Sequence, residues 1–193
     1  LPPGLLDIDA LESELGAAAG PGEVLVGAAA ISGARSFNLS QGETVAHVNA
    51  EMVSASYFDV LGVAPIAGRP FDEAENREGA PVALLAESLW REAFGADPGV
   101  PGTTIRLNDR AYEVVGVMPA GFRAPFLQGT ELWAPFTQST FSPGCSQSRG
   151  CYVMRAMGRI GGDFTLDQVQ AELSTLAAAI REEAPEEKTG LQL

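Results

Sequence analysis

The chain has 193 residues, of which 46% are hydrophobic and 19% are charged, and its formal net charge is −13. These proportions are typical of a folded globular protein and argue against disorder over most of the length. The negative charge repels phosphate groups, which argues against nucleic acid as a partner and against binding to anionic lipid headgroups. No segment approaches the roughly 18 consecutive apolar residues that a membrane-spanning helix needs. Because the chain starts without Met or a cationic leader, we expect a piece of a longer protein.

The first part of the chain predicts a helix followed by strands. Apolar residues at intervals of three and four indicate a short amphipathic helix with the face Leu5, Ile8, Leu11 and Leu15. Residues 23–31 have the composition of a buried strand, and clean alternation over residues 44–54 predicts a long strand. A partner strand through Phe37 would precede a turn at Gly42.

The next segments predict short helices and a strand. Residues 56–61 are expected to form one helical turn that ends at Gly62, and residues 68–80 are expected to form a charged loop. Residues 81–86 form a short apolar run that predicts a strand.

A helix, a hairpin and an extended piece are expected after that strand. Ser88 can cap the helix, which Gly95 would end. Residues 103–107 and 111–117 predict a hairpin with Asn108 and Asp109 in the turn, since both tolerate left-handed backbone angles. Trp133 is placed in a short extended piece between loops.

The last part of the chain predicts a strand and a long helix. Residues 152–160 are expected to be extended, and Thr165 with Gln168 has the spacing of a capping box. A narrow apolar stripe then continues for four to five turns until Pro185, through Leu166, Val169, Leu173, Leu176 and Ile180.

Two cysteines, Cys145 and Cys151, lie in the segment SPGCSQSRGCY. The spacing allows a short disulfide-closed loop, which we favour as a structural bond worth ~2 kcal/mol. Free thiols remain the alternative, and zinc would need two further ligands from a chain with one His and no other Cys. A disulfide would indicate an oxidising compartment.

Residues that could carry chemistry do not assemble into a recognisable motif. His47 is the only histidine, and Glu51 lies four residues along the same strand, ~13 Å away, so they cannot share one proton or ion. We interpret both as a solvated strand face. The acidic residues Asp72, Glu73, Glu75 and Glu78 do not follow the calcium-loop order, which favours an exposed loop over a cation site. No phosphate-binding glycine loop is present.

Four segments in the middle of the chain carry a family resemblance. They are VSASYFDVLGVAPIAGRPF from Val53, PVALLAESLWREAFG from Pro81, TIRLNDRAYEVVGVMPAGF from Thr104 and ELWAPF from Glu131. In this order they resemble the extracytoplasmic core domain of MacB-type ABC transporter permeases, in the FtsX-like permease superfamily. The similarity is good over residues 52–135 and looser over residues 153–184. Relatives often have glycine where Asp109 stands in the hairpin turn, and the cysteine loop is not part of the family pattern.

The resemblance implies an α+β fold with two subdomains. A porter-like layer of helix on sheet would come from both chain ends, residues 1–54 and 146–193. A smaller α+β subdomain, residues 55–145, would be inserted between them.

The resemblance also implies a function without catalysis. The chain would be an extracytoplasmic, or periplasmic, domain of an inner-membrane ABC transporter permease. It would relay conformational change driven by a cytoplasmic ATPase to envelope partners or substrate. The implied partners are that ATPase subunit, a second permease copy and an envelope adaptor protein. We expect no catalytic residue, no cofactor and no metal ion.

An alternative function is a ligand- or protein-binding module of the cell envelope. Aromatic residues that include Trp133 and Phe136, together with the acidic loop, favour this hypothesis if they are exposed. The same aromatic residues would more commonly belong to a hydrophobic core.

Overall fold

The computed structural model describes residues 25–42, 44–136, 154–162 and 164–183. Its strands are β1 Leu25–Ser32, β2 Arg35–Gln41, β3 Thr44–Val53, β4 Ala67–Gly68, β5 Val82–Leu85, β6 Thr104–Leu107, β7 Arg110–Val117, β8 Leu132–Pro135 and β9 Met154–Ile160. Its helices are α1 Tyr57–Leu61, α2 Glu73–Glu78, α3 Glu87–Phe94 and α4 Leu166–Glu183. The predicted α+β class is confirmed. None of the helices in these ranges has the length and hydropathy of a membrane span. The predicted helix through Leu5 and Leu15 lies outside the described residues.

The chain divides into two compact units. One comprises Leu1–Ala30 and Gln138–Leu193, and the other comprises Ile31–Thr137. This division differs from the predicted subdomains, 1–54 with 146–193 and 55–145, in the position of the first boundary. Strands β2 and β3 belong to the second unit because they pair with β6 and β8. The second predicted boundary falls among residues outside the described part of the chain.

The second unit contains a ring of six paired strands. In order around the ring they are β2, β6, β7, β5, β8 and β3, and β3 closes the ring by pairing with β2. Closure removes the exposed sheet edges that would otherwise invite pairing with another chain. We call this ring the barrel.

Side-chain alternation along β3 explains how the barrel is filled. Val48, Ala50 and Met52 are buried on one face of the strand. Their register partners on β8 include Leu132 and Ala134, which are also buried. Since opposite residues in paired strands share a face, these side chains form the apolar interior of the barrel.

The hairpin between β6 and β7 is confirmed. Asn108 and Asp109 have φ angles of 47° and 66°, the left-handed conformation that a two-residue hairpin turn requires. The Asn108 side chain also accepts a hydrogen bond from the Asn38 N–H at 2.9 Å, which ties the turn to β2.

Two local predictions are wrong. Residues 68–80 are not a loop throughout, because a capping box between Asp72 and Glu75 starts α2 and left-handed Gly79 ends it. Ser88 does not cap α3: the N-cap is Ala86, without a side-chain hydrogen bond, and Ser88 lies exposed in the first turn. The predicted helix end at Gly95 is confirmed by its left-handed φ of 61°.

The first unit contains helix α4, strand β9 and most of strand β1. Leu25 and Ala28 of β1 form a small apolar core with Val169 of α4, and Phe164 and Leu173 pack against it. The predicted capping box is present, since the Thr165 N–H donates to Gln168 Oε1 at 2.8 Å.

Candidate functional site: the aromatic layer outside the barrel

One row of residues crosses the outer face of the barrel where the recognised motifs lie. Glu51 of β3 is the register partner of Trp133 on β8, and Trp133 is the partner of Leu84 on β5. Leu84 is in turn the partner of Gly116 on β7, which pairs with Gly68 of β4. The row faces away from the apolar interior because its residues alternate with the inward-facing ones.

Helix α1 follows β3 directly and contributes side chains that cover this row. Its Tyr57, Phe58 and Val60 are buried. Gly62 ends the helix in the left-handed conformation with φ 68°, and its N–H donates to the Asp59 carbonyl at 3.0 Å. The motif YFDVLGV therefore encodes a short helix with an apolar face and a defined end.

Five aromatic side chains form one packed layer over the row, and we call them the aromatic layer. They are Tyr57, Phe58, Phe71, Phe122 and Trp133. Phe58 is central, with ring centroids 5.2 Å from Tyr57, 5.8 Å from Phe71 and 6.3 Å from Trp133. These contacts are edge-to-face, the arrangement that aromatic quadrupoles favour.

The motif GRPF fastens a second segment to the same layer. Gly68 has φ +73°, and a Cβ there would lie 2.1 Å from the Val115 carbonyl oxygen, so only glycine allows β4 to approach β7. Arg69 donates two hydrogen bonds to the carboxylate of Glu75, both at 2.7 Å. Phe71 then enters the aromatic layer beside Phe58.

A buried hydrogen bond joins α1 to β3. The Tyr57 hydroxyl donates to Glu51 Oε2 at 3.0 Å, and the Glu51 residue is only 1% exposed. Burial raises the pKa of the Tyr57 hydroxyl, and the adjacent Glu51 carboxylate raises it further; the interaction with Trp133 opposes both. Tyr57 consequently remains a neutral hydrogen-bond donor at physiological pH.

The interpretation of His47 and Glu51 as one solvated face is wrong for Glu51. His47 is exposed, and its Nδ1 lies 3.0 Å from Asn38 Oδ1. Glu51 lies on the same face of β3, but at the end that α1 and Trp133 cover. Strand alternation assigns the face of a residue, whereas tertiary packing decides whether that face meets water.

The structure also contradicts the exposure of aromatic residues that the binding-module hypothesis needs. Trp133 lies in strand β8, which is paired on both sides, and is 0% exposed, while Phe136 is 1% exposed. Trp90 is half-buried, with its indole N–H donating to the Asp97 carbonyl at 2.8 Å. These three residues and Phe94 do not form an open aromatic groove.

Acidic residues between Asp72 and Glu78 stabilise the start of helix α2. Asp72 Oδ1 accepts the Glu75 N–H at 2.8 Å, and Glu75 Oε2 accepts the Asp72 N–H at 2.9 Å. Among the described residues, no group of three or more His, Cys, Asp or Glu side chains could hold a metal ion. Cys145 and Cys151 lie outside those residues, so their disulfide stays a prediction.

The Arg69–Glu75 pair predicts a measurable pH dependence of stability. The hydrogen bonds and charge of Arg69, with the Asp72 N–H, lower the pKa of Glu75. A lowered native-state pKa stabilises the fold above the unfolded-state value of about 4.3 and loses this effect as pH falls through the native value. We expect Arg69→Met to lower the free energy of unfolding by about 1 kcal/mol at pH 7, a modest loss because Arg69 is solvent-exposed.

Urea unfolding of the variant and the parent chain at pH 7 and pH 2 measures this effect. The difference between them should shrink toward pH 2, because protonation of the Glu75 carboxylate removes its ion pair with Arg69. Arg91→Met, which breaks the exposed helical pair with Glu87, serves as the control and should cost less than about 0.5 kcal/mol. An Arg69→Met cost that is equal at both pH values would contradict the role of the ion pair.

Similarity to known proteins agrees with this arrangement of motifs. The family model for the MacB-like periplasmic core domain matches residues 4–176. Two relatives are described as "Macrolide export ATP-binding/permease protein MacB". The protein from Bdellovibrio bacteriovorus is 28% identical over 141 residues, which cover 72% of this chain and 18% of the relative. The one from Chlorobaculum tepidum is 31% identical over 127 residues, which cover 65% of this chain and 17% of the relative. The chain thus spans less than a fifth of these relatives.

Solved structures show the same fold. The periplasmic region of MacB from Actinobacillus actinomycetemcomitans superposes with a TM-score of 0.64 at 22% identity, covering 82% of this chain and 69% of that one. The extracellular domain of the noncanonic ABC-type transporter YknZ from Gram-positive bacteria gives a TM-score of 0.60 at 16% identity, covering 83% of this chain and 78% of that one. With the family model matching most of its length, the chain belongs to the family of MacB-like periplasmic core domains.

Proposed function

We propose that this domain relays conformational change in an ABC transporter permease and catalyses no reaction. The domain would lie outside the inner membrane, and ATP hydrolysis by a cytoplasmic ATPase would displace it there. In this way it would act on envelope partners or substrate. A second permease copy and an envelope adaptor protein are the proposed extracytoplasmic partners. The domain would keep the two-subdomain organisation of its family, with the barrel as the main body of one subdomain.

The single observation that carries this proposal is the use of the family motifs. Tyr57, Phe58, Gly68 and Phe71 hold α1 and the segment of β4 against the barrel, and Arg69 pairs with Glu75 of α2. Side chains packed in this way support a barrel that transmits displacement without deforming, because close-packed interiors have low compressibility. A catalytic site would instead direct polar groups toward a cleft.

The binding-module alternative loses its main support. The aromatic side chains that would contact a ligand are buried, and the acidic segment caps and pairs within its own loop and helix. A protein-binding role within the transporter remains part of the relay proposal, since force must be passed to a partner.

Distance measurements between two permease copies test the relay. Val45 is 78% exposed near the tip of the β2–β3 hairpin, and a spin label there would leave the core intact. We would introduce it through a noncanonical amino acid, to leave Cys145 and Cys151 untouched, in the full-length permease with its ATPase. The distance distribution between copies should change by several ångströms when ATP is trapped.

A matched pair of labels within one copy provides the control. Ser88 is exposed on α3 of the same compact unit as Val45. The distance between labels at these two positions should stay constant in both nucleotide states. An unchanged distance between copies, with the ATPase active, would contradict the relay.

A further inference from the structure

Three polar groups are buried together in the aromatic layer. The Glu51 carboxylate, the Tyr57 hydroxyl and the Trp133 indole N–H belong to β3, α1 and β8, and none of these residues is more than 1% exposed. Burying a carboxylate has a desolvation cost, so an apolar side chain of similar size is often as stabilising. In some proteins such buried polar groups specify one conformation and add little stability.

The hydrogen-bonding needs of these three groups are met unequally when the layer is packed. The Tyr57 hydroxyl is satisfied by Glu51, which holds α1 in place. Trp133 Nε1, by contrast, lies near the Tyr57 hydroxyl but makes no hydrogen bond of normal geometry with any described residue. An unpaired buried donor destabilises the packed state, and contact with water removes that penalty. The Tyr57 hydroxyl therefore favours the closed aromatic layer, whereas the Trp133 indole N–H favours its opening.

The strand pairing leaves α1 free to move as a unit. The register pairs of β3 end at Val53, and β4 begins at Ala67. The intervening helix is held by its own backbone hydrogen bonds, such as Val60 N–H to the Ser56 carbonyl at 2.9 Å. Displacing α1 breaks side-chain contacts but no pair of barrel strands, which is the condition for local opening.

We propose that Glu51, Tyr57 and Trp133 form a polar latch that allows α1 to open from the barrel without unfolding it. In the closed position the Tyr57–Glu51 bond holds α1 over the aromatic layer. In the open position water reaches the Trp133 indole. The use of α1 as a moving part rests on the proposed relay, but the latch is tested on the 193-residue chain alone, so the two can fail separately.

Native-state hydrogen exchange of the unmodified chain gives the first test. Local opening predicts that the amides of residues 57–63 exchange faster than those of β3 and β8. It also predicts that their exchange depends less steeply on urea than global unfolding does, because opening α1 exposes only part of the core. Equal protection and equal urea dependence in α1 and in the barrel strands would overturn the proposal.

Tyr57→Phe tests the hydrogen bond itself. Losing a bond to a charged group should speed exchange of residues 57–63 by about 10-fold or more, with a smaller change in the barrel strands. Glu51→Gln keeps an acceptor oxygen and should stay within about fivefold of the parent chain. Tyr112→Phe is the matched control, since Tyr112 lies on β7 outside the aromatic layer, with its ring under the Arg110 guanidinium. The same acceleration in α1 and the barrel, or none, would overturn the proposal.

Fluorescence of Trp133 provides an independent readout. The chain has two tryptophans, so Trp90→Phe leaves Trp133 as the sole emitter. In that background, Tyr57→Phe should increase acrylamide quenching severalfold while the far-UV circular dichroism stays unchanged. Quenching that rises only together with global unfolding in urea would contradict the latch.

Discussion

Gly68→Ala should destabilise the second unit by at least about 4 kcal/mol, which approaches the whole stability of a typical domain. Two costs combine. Gly68 has φ +73°, where an added Cβ costs about 1–2 kcal/mol, and that Cβ would lie 2.1 Å from the Val115 carbonyl oxygen. The clash is with backbone, so no side-chain rotation relieves it. Urea unfolding, followed by circular dichroism, measures the loss.

Gly129→Ala separates the two costs. Gly129 has nearly the same dihedral, φ +78°, but nothing lies within 4 Å of its added Cβ. We expect only the conformational cost of about 1–2 kcal/mol. If both variants lost the same free energy, the close approach of β4 to β7 would not be what requires glycine in GRPF.

Phe58→Ala should cost about 3–5 kcal/mol, the range for a buried aromatic side chain. Phe58 is 1% exposed and contacts four other aromatic rings, those of Tyr57, Phe71, Phe122 and Trp133. The cavity lies between α1 and the barrel strands, neither of which can collapse without losing other contacts. The free energy of unfolding in urea again measures the change.

Phe126→Ala serves as the matched control for Phe58→Ala. Phe126 is 45% exposed in the loop between β7 and β8, so the same truncation should cost less than about 1 kcal/mol. A Phe58→Ala cost below about 1.5 kcal/mol would mean that the aromatic layer is not an important part of the core.

Local sequence signals predicted several elements well. The alternation of β3 follows from side chains pointing to opposite faces, and the Asn108–Asp109 turn follows from backbone angles that these residues tolerate. The capping box at Thr165 depends on residues three apart. Each of these signals is contained within a few residues, so no knowledge of distant contacts was needed.

The rest depends on contacts between distant segments. Closure of the barrel requires β2 to meet β6 and β3 to meet β8, pairs that are far apart in the chain. Burial of Glu51 depends on α1 and Trp133 covering one end of β3. Neither the closure of the barrel nor the burial of Glu51 can be predicted from the hydrophobic periodicity of the sequence. Helix α2 is an exception, because its start depends on a local signal. Asp72 and Glu75 have the spacing of a capping box, which the sequence alone shows.

The central claim is that the barrel moves as a rigid body driven by ATP. Electron cryomicroscopy of the full-length permease with its ATPase, nucleotide-free and with ATP trapped, tests this most directly. We predict that the barrel strands between residues 35 and 135 shift together by several ångströms relative to the membrane while their mutual pairing stays unchanged. A barrel in the same position in both states would contradict the account.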